Sequence, residues 1–171
     1  MLIKIYDKVI ALAGHKQAEK YLAIVSFIES SFFPIPPDVM LTPMVIAKPK
    51  NWFRLALLCT LSSVIGGCLG YAIGFLFWEN IGQIIINFYG IEEDFSKISS
   101  VFQDYGIEII FLAGISPLPY KLFTITSGVV GYNLFFFIIV SLIARGIRFF
   151  LVAAIFAFIG KKIRFWLEKH F

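Results

Sequence analysis

The sequence predicts an all-α polytopic membrane protein of two inverted-repeat halves. Each half is a proline-broken re-entrant hairpin followed by a transmembrane helix, with amphipathic helices at the interface. Three observations lead there. Of 171 residues, 59% are hydrophobic and 15% charged, where a soluble domain carries about a quarter charged residues. A chain this short cannot bury that apolar surplus in a globule, and lipid is the solvent that suits it. Two of the apolar stretches are interrupted by paired prolines, and most of the charges fall at the ends of these stretches.

Residues 1–20 mix Ile3, Val9, Ile10, Leu12 and Ala13 with Lys4, Asp7, Lys8, Lys16 and Glu19. They lack the continuous apolar run and cleavage site of a signal peptide and are expected to form an amphipathic helix lying in the interface. Residues 21–171 form a single membrane domain. Its first stretch, Tyr21 to Ala47, is apolar but contains Glu29, Asp38, Pro34, Pro36, Pro37 and Pro43. No continuous helix runs through Pro-Ile-Pro-Pro, because each ring removes a donor and clashes with the preceding turn. The second stretch, Phe53 to Trp78, is uninterrupted and about long enough to span a bilayer. Residues 79–104, with Glu92, Glu93 and Asp94 clustered, are expected to be an interfacial linker. The third stretch, Ile107 to Val130, breaks at Pro117 and Pro119, and the fourth, Leu134 to Gly160, is interrupted only by Arg145, Gly146 and Arg148. The halves are thus 21–78 and 105–160.

Non-helical backbone at membrane depth survives only where protein or a water-filled cavity satisfies its polar groups. The breaks are therefore expected to turn inside the protein as re-entrant hairpins; two kinked spanning helices are the alternative. Pro34-Ile35-Pro36-Pro37-Asp38 lines up with Pro117-Leu118-Pro119-Tyr120-Lys121, and proline-interrupted segments in corresponding positions point to a transport site. Lys48, Lys50 and Arg54 cluster at the beginning of the second stretch, and Lys161, Lys162 and Arg164 follow the fourth. The positive-inside rule then puts both termini in the cytoplasm and the acidic linker outside, so the two hairpins enter from opposite faces.

Glu29, Asp38, Lys121, Arg145 and Arg148 lie where lipid is expected, each at a cost of about 2.5–3.5 kcal/mol at a helix centre. The acids belong to the first half and the bases to the second, so facing halves would bring them into one network. Such a network either fixes the packing of the halves or forms a site. In the second case Glu29 and Asp38 exchange protons while Lys121, Arg145 and Arg148 hold an anion, phosphate being well suited to Arg and Lys. Packing alone is served as well by apolar residues, which favours the site. Ser62, Gly66, Gly70 and Gly74 recur every four residues, a small-residue stripe that lets another helix approach closely. Ser116, Thr124, Thr126 and Ser127 either line the cavity or bond back to their own helix.

Cys59 and Cys68 have no metal-ligand spacing, and His15 and His170 sit near the termini, so no metal and no cofactor are expected. No hydrolase, protease or phosphate-loop motif occurs in the chain, so no enzyme is expected either. The basic residues lack interleaved aromatics and speak against nucleic acid. Membrane lipids and protons are the expected partners, and a homo-oligomer stays open.

The chain resembles the DedA family, whose members carry the VTT (SNARE-associated) domain, and within it the short YqaA-like branch. The resemblance rests on Glu29 followed by PIPPD (Pro34 to Asp38), GISPLPYKLFTITSGVVG (Gly114 to Gly131) and ARGIRFF (Ala144 to Phe150). It implies two opposed re-entrant hairpins, a bacterial inner-membrane location and membrane homeostasis linked to the proton-motive force. It also implies translocation of anionic lipid, polyprenyl-phosphate carrier or phospholipid. The family's acidic pair maps onto Glu29 and Asp38 with a shorter spacer. Gly114 stands where many members have arginine; Lys121 is the nearest base, and Arg145 and Arg148 are placed to compensate. A small-solute or ion transporter using the same cavity, and a non-transporting scaffold, are the competing readings.

Overall fold

The computed structural model describes residues 17–31, 36–82, 84, 88, 92–116 and 119–170, with backbone alone over 160–170. Pro34, Pro117, residues 1–16 of the interfacial helix expected over 1–20, and the side chains of Glu92, Asp94, Lys161, Lys162 and Arg164 lie outside the described residues. All regular structure among the described residues is helical. It comprises α1 (Ala18–Ser31), α2 (Asp38–Ala47), a 3₁₀ turn (Pro49–Asn51), α3 (Trp52–Phe77), a π turn (Trp78–Gly82), α4 (Glu92–Ile115), α5 (Tyr120–Val129) and α6 (Leu134–His170).

The prolines set the helix ends as expected. Before the first break α1 stops at Ser31, and after it α2 starts on Asp38 with Pro37 as its flanking residue. After the second break α5 starts on Tyr120 with Pro119 flanking it. Glycine and asparagine set the others. Gly131, at φ 64°, takes the left-handed conformation that closes α5, and the Tyr132 amide then donates to the Ser127 carbonyl at 2.9 Å in a Schellman-type ending. Asn133 caps α6, its side-chain oxygen accepting from the amides of Phe135 at 2.9 Å and Phe136 at 3.2 Å.

Among the described residues, three segments are long and apolar enough to cross a membrane: Pro49–Gly82, Phe95–Ile115 and Leu134–Ile159. The third of the sequence's apolar stretches begins inside one of these. Where linker and hairpin arm are expected to divide, after Asp104, α4 is kinked: non-helical backbone at Tyr105 (φ −121°, ψ 18°) separates two helical segments. The first hairpin arm begins at Ala18, slightly before the boundary expected at Tyr21.

The long helices α3 and α6 pack together, and the other four arrange themselves on that pair. Helix α1 packs on α3 while α2 packs on α6; in the second half α4 packs on α6 while α5 packs on α3. Each first arm thus lies on the long helix of its own half, and each second arm on the long helix of the other half. Two apolar clusters result. Leu22, Leu41, Val45, Leu55, Cys59 and Phe149 make one; Ile110, Ala113, Tyr120, Phe137 and Val140 make the other. Between these clusters α3 buries the polar side chains of Thr60 and Ser63, and α6 those of Ser141 and Arg145.

The small-residue stripe of α3 makes this packing close. A Cβ at Gly66 would strike the Phe27 carbonyl of α1, and one at Gly74 the Ile125 carbonyl of α5. Gly70 lies between, against Thr124 and the Ser30 carbonyl. Helix α1 answers with small polar residues, Ser26, Ser30 and Ser31, all buried. Ser26 donates to the Cys59 carbonyl at 2.8 Å and Ser31 to the Gly66 carbonyl at 2.9 Å. In a membrane such polar contacts between helices add to van der Waals packing. Ser62 of the stripe is half-buried, and the fully buried neighbour is Ser63.

Candidate functional site

Two ion pairs occupy the polar layer, and each joins an acid of the first half to an arginine of α6. Arg145 pairs with Glu29 (Nη2 to Oε2, 2.5 Å), and Arg148 with Asp38 (Nη2 to Oδ2, 2.5 Å). Arg145 and Ser63 lie close to the middle of the apolar spans of α6 and α3, at the depth where an unpaired charge is most costly.

The Arg145 pair is sealed. Its side chain has no exposed surface, and Glu29 keeps 13% of its own. Arg145 Nε donates to Ser63 Oγ at 2.6 Å and Nη2 also reaches Ser30 Oγ at 3.3 Å. Ser30 and Ser63 hydroxyls are 2.6 Å apart, and Ser30 donates to Glu29 Oε2 at 3.1 Å. Because the single Ser30 hydrogen is committed to Glu29, Ser63 must be the donor to Ser30. The four side chains then close a ring: guanidinium to Ser63, Ser63 to Ser30, Ser30 to carboxylate, and guanidinium to carboxylate. The Tyr120 and Phe149 rings lie against the guanidinium, with centroids 4.8 and 4.7 Å from Cζ, contacts that favour a desolvated cation. Tyr120 is itself held by donating to Ser141 Oγ. One atom of Arg145, Nη1, is buried without a hydrogen-bond partner among the described residues, at a cost of about 1–3 kcal/mol.

The Arg148 pair is more open, with 17% of the Arg148 side chain and 26% of Asp38 exposed. Arg148 Nη1 also donates to the Ser116 carbonyl at 3.2 Å. Ser116 follows the last residue of α4, where helix carbonyls lack intrahelical partners, and Asp38 opens α2, where a carboxylate suits the helix dipole. Arg148 therefore ties together the two places where the chain breaks. Of Asp38, only Oδ2 is engaged; Oδ1 is buried without a donor among the described residues.

Lys121 is half-buried in the first turn of α5, next to Tyr120, and neither ion pair includes it. Thr124 lies at the crossing of α1 and α5, its hydroxyl within 2.9 Å of the Lys121 carbonyl and 3.3 Å of the Ser30 carbonyl. Thr126 and Ser127 donate back to their own helix. Pro36 and Pro119 are exposed, and Pro37 is buried. Sequence reasoning missed Ser30, Ser63, Tyr120 and Phe149. The signal for Ser63 was its place beside the glycine stripe, and for Ser30 its four-residue spacing from Ser26; both were hidden by the ordinariness of serine in a membrane helix. No group of His, Cys, Asp or Glu fit to hold a metal occurs among the described residues.

Residues 33–158 match the family model of the VTT domain. An uncharacterized protein of Haemophilus influenzae is 43% identical over 164 residues, covering 96% of this chain and 85% of its own length. An uncharacterized protein of Histophilus somni is 43% identical over 163 residues, covering 92% and 82%. No solved structure matches. The matched region holds every described residue of the charged layer except Glu29 and Ser30, and the chain belongs to the VTT-domain (DedA) family of membrane proteins.

Proposed function

We propose that the protein is a proton-motive-force-linked translocator of anionic lipid in the bacterial inner membrane. Glu29 and Asp38 exchange protons, and Lys121, Arg145 and Arg148 supply the positive charge for a phosphate headgroup. The observation that carries the reading is the Asp38–Arg148 pair. It is partly open, it sits at the junction of both chain breaks, and it leaves one carboxylate oxygen without a donor among the described residues. Ionisable side chains at membrane depth are costly and mark transport paths, and broken segments in corresponding positions mark their centre.

Helix lengths support re-entrant hairpins. Helices α2 and α5 have 10 residues each, about 15 Å at 1.5 Å per residue, which is half of the ~30 Å hydrocarbon core. Each runs from the charge layer outward. Ser116, at the end of α4, is bonded to Arg148, so α4 ends near mid-depth. Counting back ~15 Å from Ile115, about 10 residues at helical rise, arrives at the Tyr105 kink. Residues 92–104 then lie at the interface, as the acidic cluster suggests. The exchange of second arms between the halves is the pattern of a two-fold-related, inverted repeat. Lys48, Lys50 and Arg54 beside the start of α3 favour cytoplasmic termini.

The test is reconstitution into liposomes with fluorescent polyprenyl phosphate or phospholipid, with and without a pH gradient. The protein should accelerate lipid translocation in a gradient-dependent way, and Asp38→Asn and Arg148→Ala should abolish the gradient-dependent part. Variants as active as the parent would rule out this site.

A further inference from the structure

The two arginines of α6 are not equivalent, and the difference identifies which group meets the anion and what holds its place. Arg145 is closed off. Its Nε and Nη2 are engaged by Ser63, Glu29 and Ser30, aromatic rings lie against its plane, and none of its surface is exposed. An anion reaching it would have to displace Glu29 and open the serine ring as well. Arg148 is held by one carboxylate oxygen and one backbone carbonyl, and both partners of its ion pair are part-exposed.

We infer that Asp38 is the resting occupant of the anion site: an intramembrane carboxylate that a phosphate-type anion replaces on Arg148 when Asp38 is protonated. The inference rests on the anion-translocator reading above and adds the identity of the competitor. Phosphate and carboxylate offer a guanidinium the same oxygen geometry, so one can replace the other without rebuilding the site. The step balances. A proton from the aqueous phase neutralises Asp38, Arg148 loses its anionic partner, and the incoming anion accepts the guanidinium N–H groups. A hydrogen on Oδ1, the oxygen that has no partner in the resting pair, then has an anion oxygen as acceptor. On release the proton departs and the carboxylate returns to Arg148. Since Arg148 also holds the Ser116 carbonyl, the exchange takes place on a side chain that touches both chain breaks.

The other titratable groups facing the pair do not provide the same exchange. Glu29 of α1 is bound within the Arg145 ring, Tyr120 of α5 donates to Ser141, and Cys59 of α3 is buried, with Asp38 and Arg145 as its charged neighbours. Lys121 is on α5, beside Tyr120.

The experiment uses the full chain in detergent, with binding of inorganic phosphate and of dihexanoyl phosphatidate measured by calorimetry. At neutral pH, Asp38→Asn should bind the probe about tenfold more tightly than the parent, the gain expected when a competitor filling the site about nine-tenths of the time is removed. The ratio between the two should narrow as pH falls, because protonation of Asp38 removes the competitor in the parent, while titration of the probe is common to both and cancels. Glu29→Gln should leave that ratio's pH dependence intact, and Arg148→Lys should weaken binding while keeping the helical circular dichroism of the parent. Tighter binding of phosphatidate alone supports a lipid headgroup as occupant, and of phosphate alone a free anion. Binding that Arg148→Lys weakens but Asp38→Asn leaves unchanged overturns the exchange and spares the translocator reading. No binding of either probe by any of these proteins overturns both.

Discussion

Arg145 and Arg148 stand three residues apart on one helix, face acids of the same half, and live in different chemistries. Around Arg145 the protein supplies serine hydroxyls, a carboxylate and two aromatic rings, and excludes solvent. Around Arg148 it supplies a carboxylate and a carbonyl, and leaves the pair partly open. A sealed pair is costly to halve, because the surviving charge is stranded in a low dielectric; an open one can exchange partners. On the exchange proposed above, one turn of helix separates a strut from a contact that is free to change.

The comparison is broken or sharpened most strongly by Arg145→Met. It strands Glu29 and should destabilise the protein by about 3–5 kcal/mol, read as a large fall in melting temperature in detergent. Arg145→Met combined with Glu29→Gln should recover much of that loss. Arg148→Met leaves a part-exposed Asp38 and should cost less, about 1.5–3 kcal/mol for a hydrogen bond to a charged group. An Arg148 variant less stable than the Arg145 variant would reverse the assignment of strut and contact.

A smaller effect is expected where no charge is involved. Gly66→Ala drives a methyl into the Phe27 carbonyl and should cost about 1–3 kcal/mol, the usual penalty of overpacking. A neutral result there would mean that α1 can move away from α3. The smallest effect belongs to the ion pair at the edge of the fold, Glu19 with Arg54 at 2.9 Å, whose side chains are 31% and 75% exposed. Glu19→Gln should change stability by under about 1 kcal/mol. A loss as large as that of Arg148→Met would show that exposure is not what separates these pairs.

Much of the architecture was legible in the chain. Pro37 and Pro119 mark the starts of α2 and α5 because a proline ring cannot continue the preceding helix. Asn133 and Gly131 mark a junction by capping chemistry that depends on local residues alone. Gly66, Gly70 and Gly74 declare a close helix contact by their spacing. What was not legible is that a kink at Tyr105, and not a loop, joins the acidic linker to the third apolar stretch. Nor were the partners of the small residues, since Gly66 faces α1 while Gly74, two turns on, faces α5.

By itself the sequence determined the membrane as solvent, the breaks, and the five ionisable residues that lipid cannot shelter, because composition, proline geometry and desolvation are properties of each residue where it stands. It also separated the acids from the bases by half. Only the tertiary structure decided which acid meets which arginine. That choice depends on how α1 and α2 distribute themselves between α3 and α6, a matter of contacts between residues more than a hundred positions apart, which no local pattern encodes. The same packing seals Arg145 and leaves Arg148 partly open. Burial is a property of neighbours, and two arginines that read alike in the chain acquire different surroundings from it.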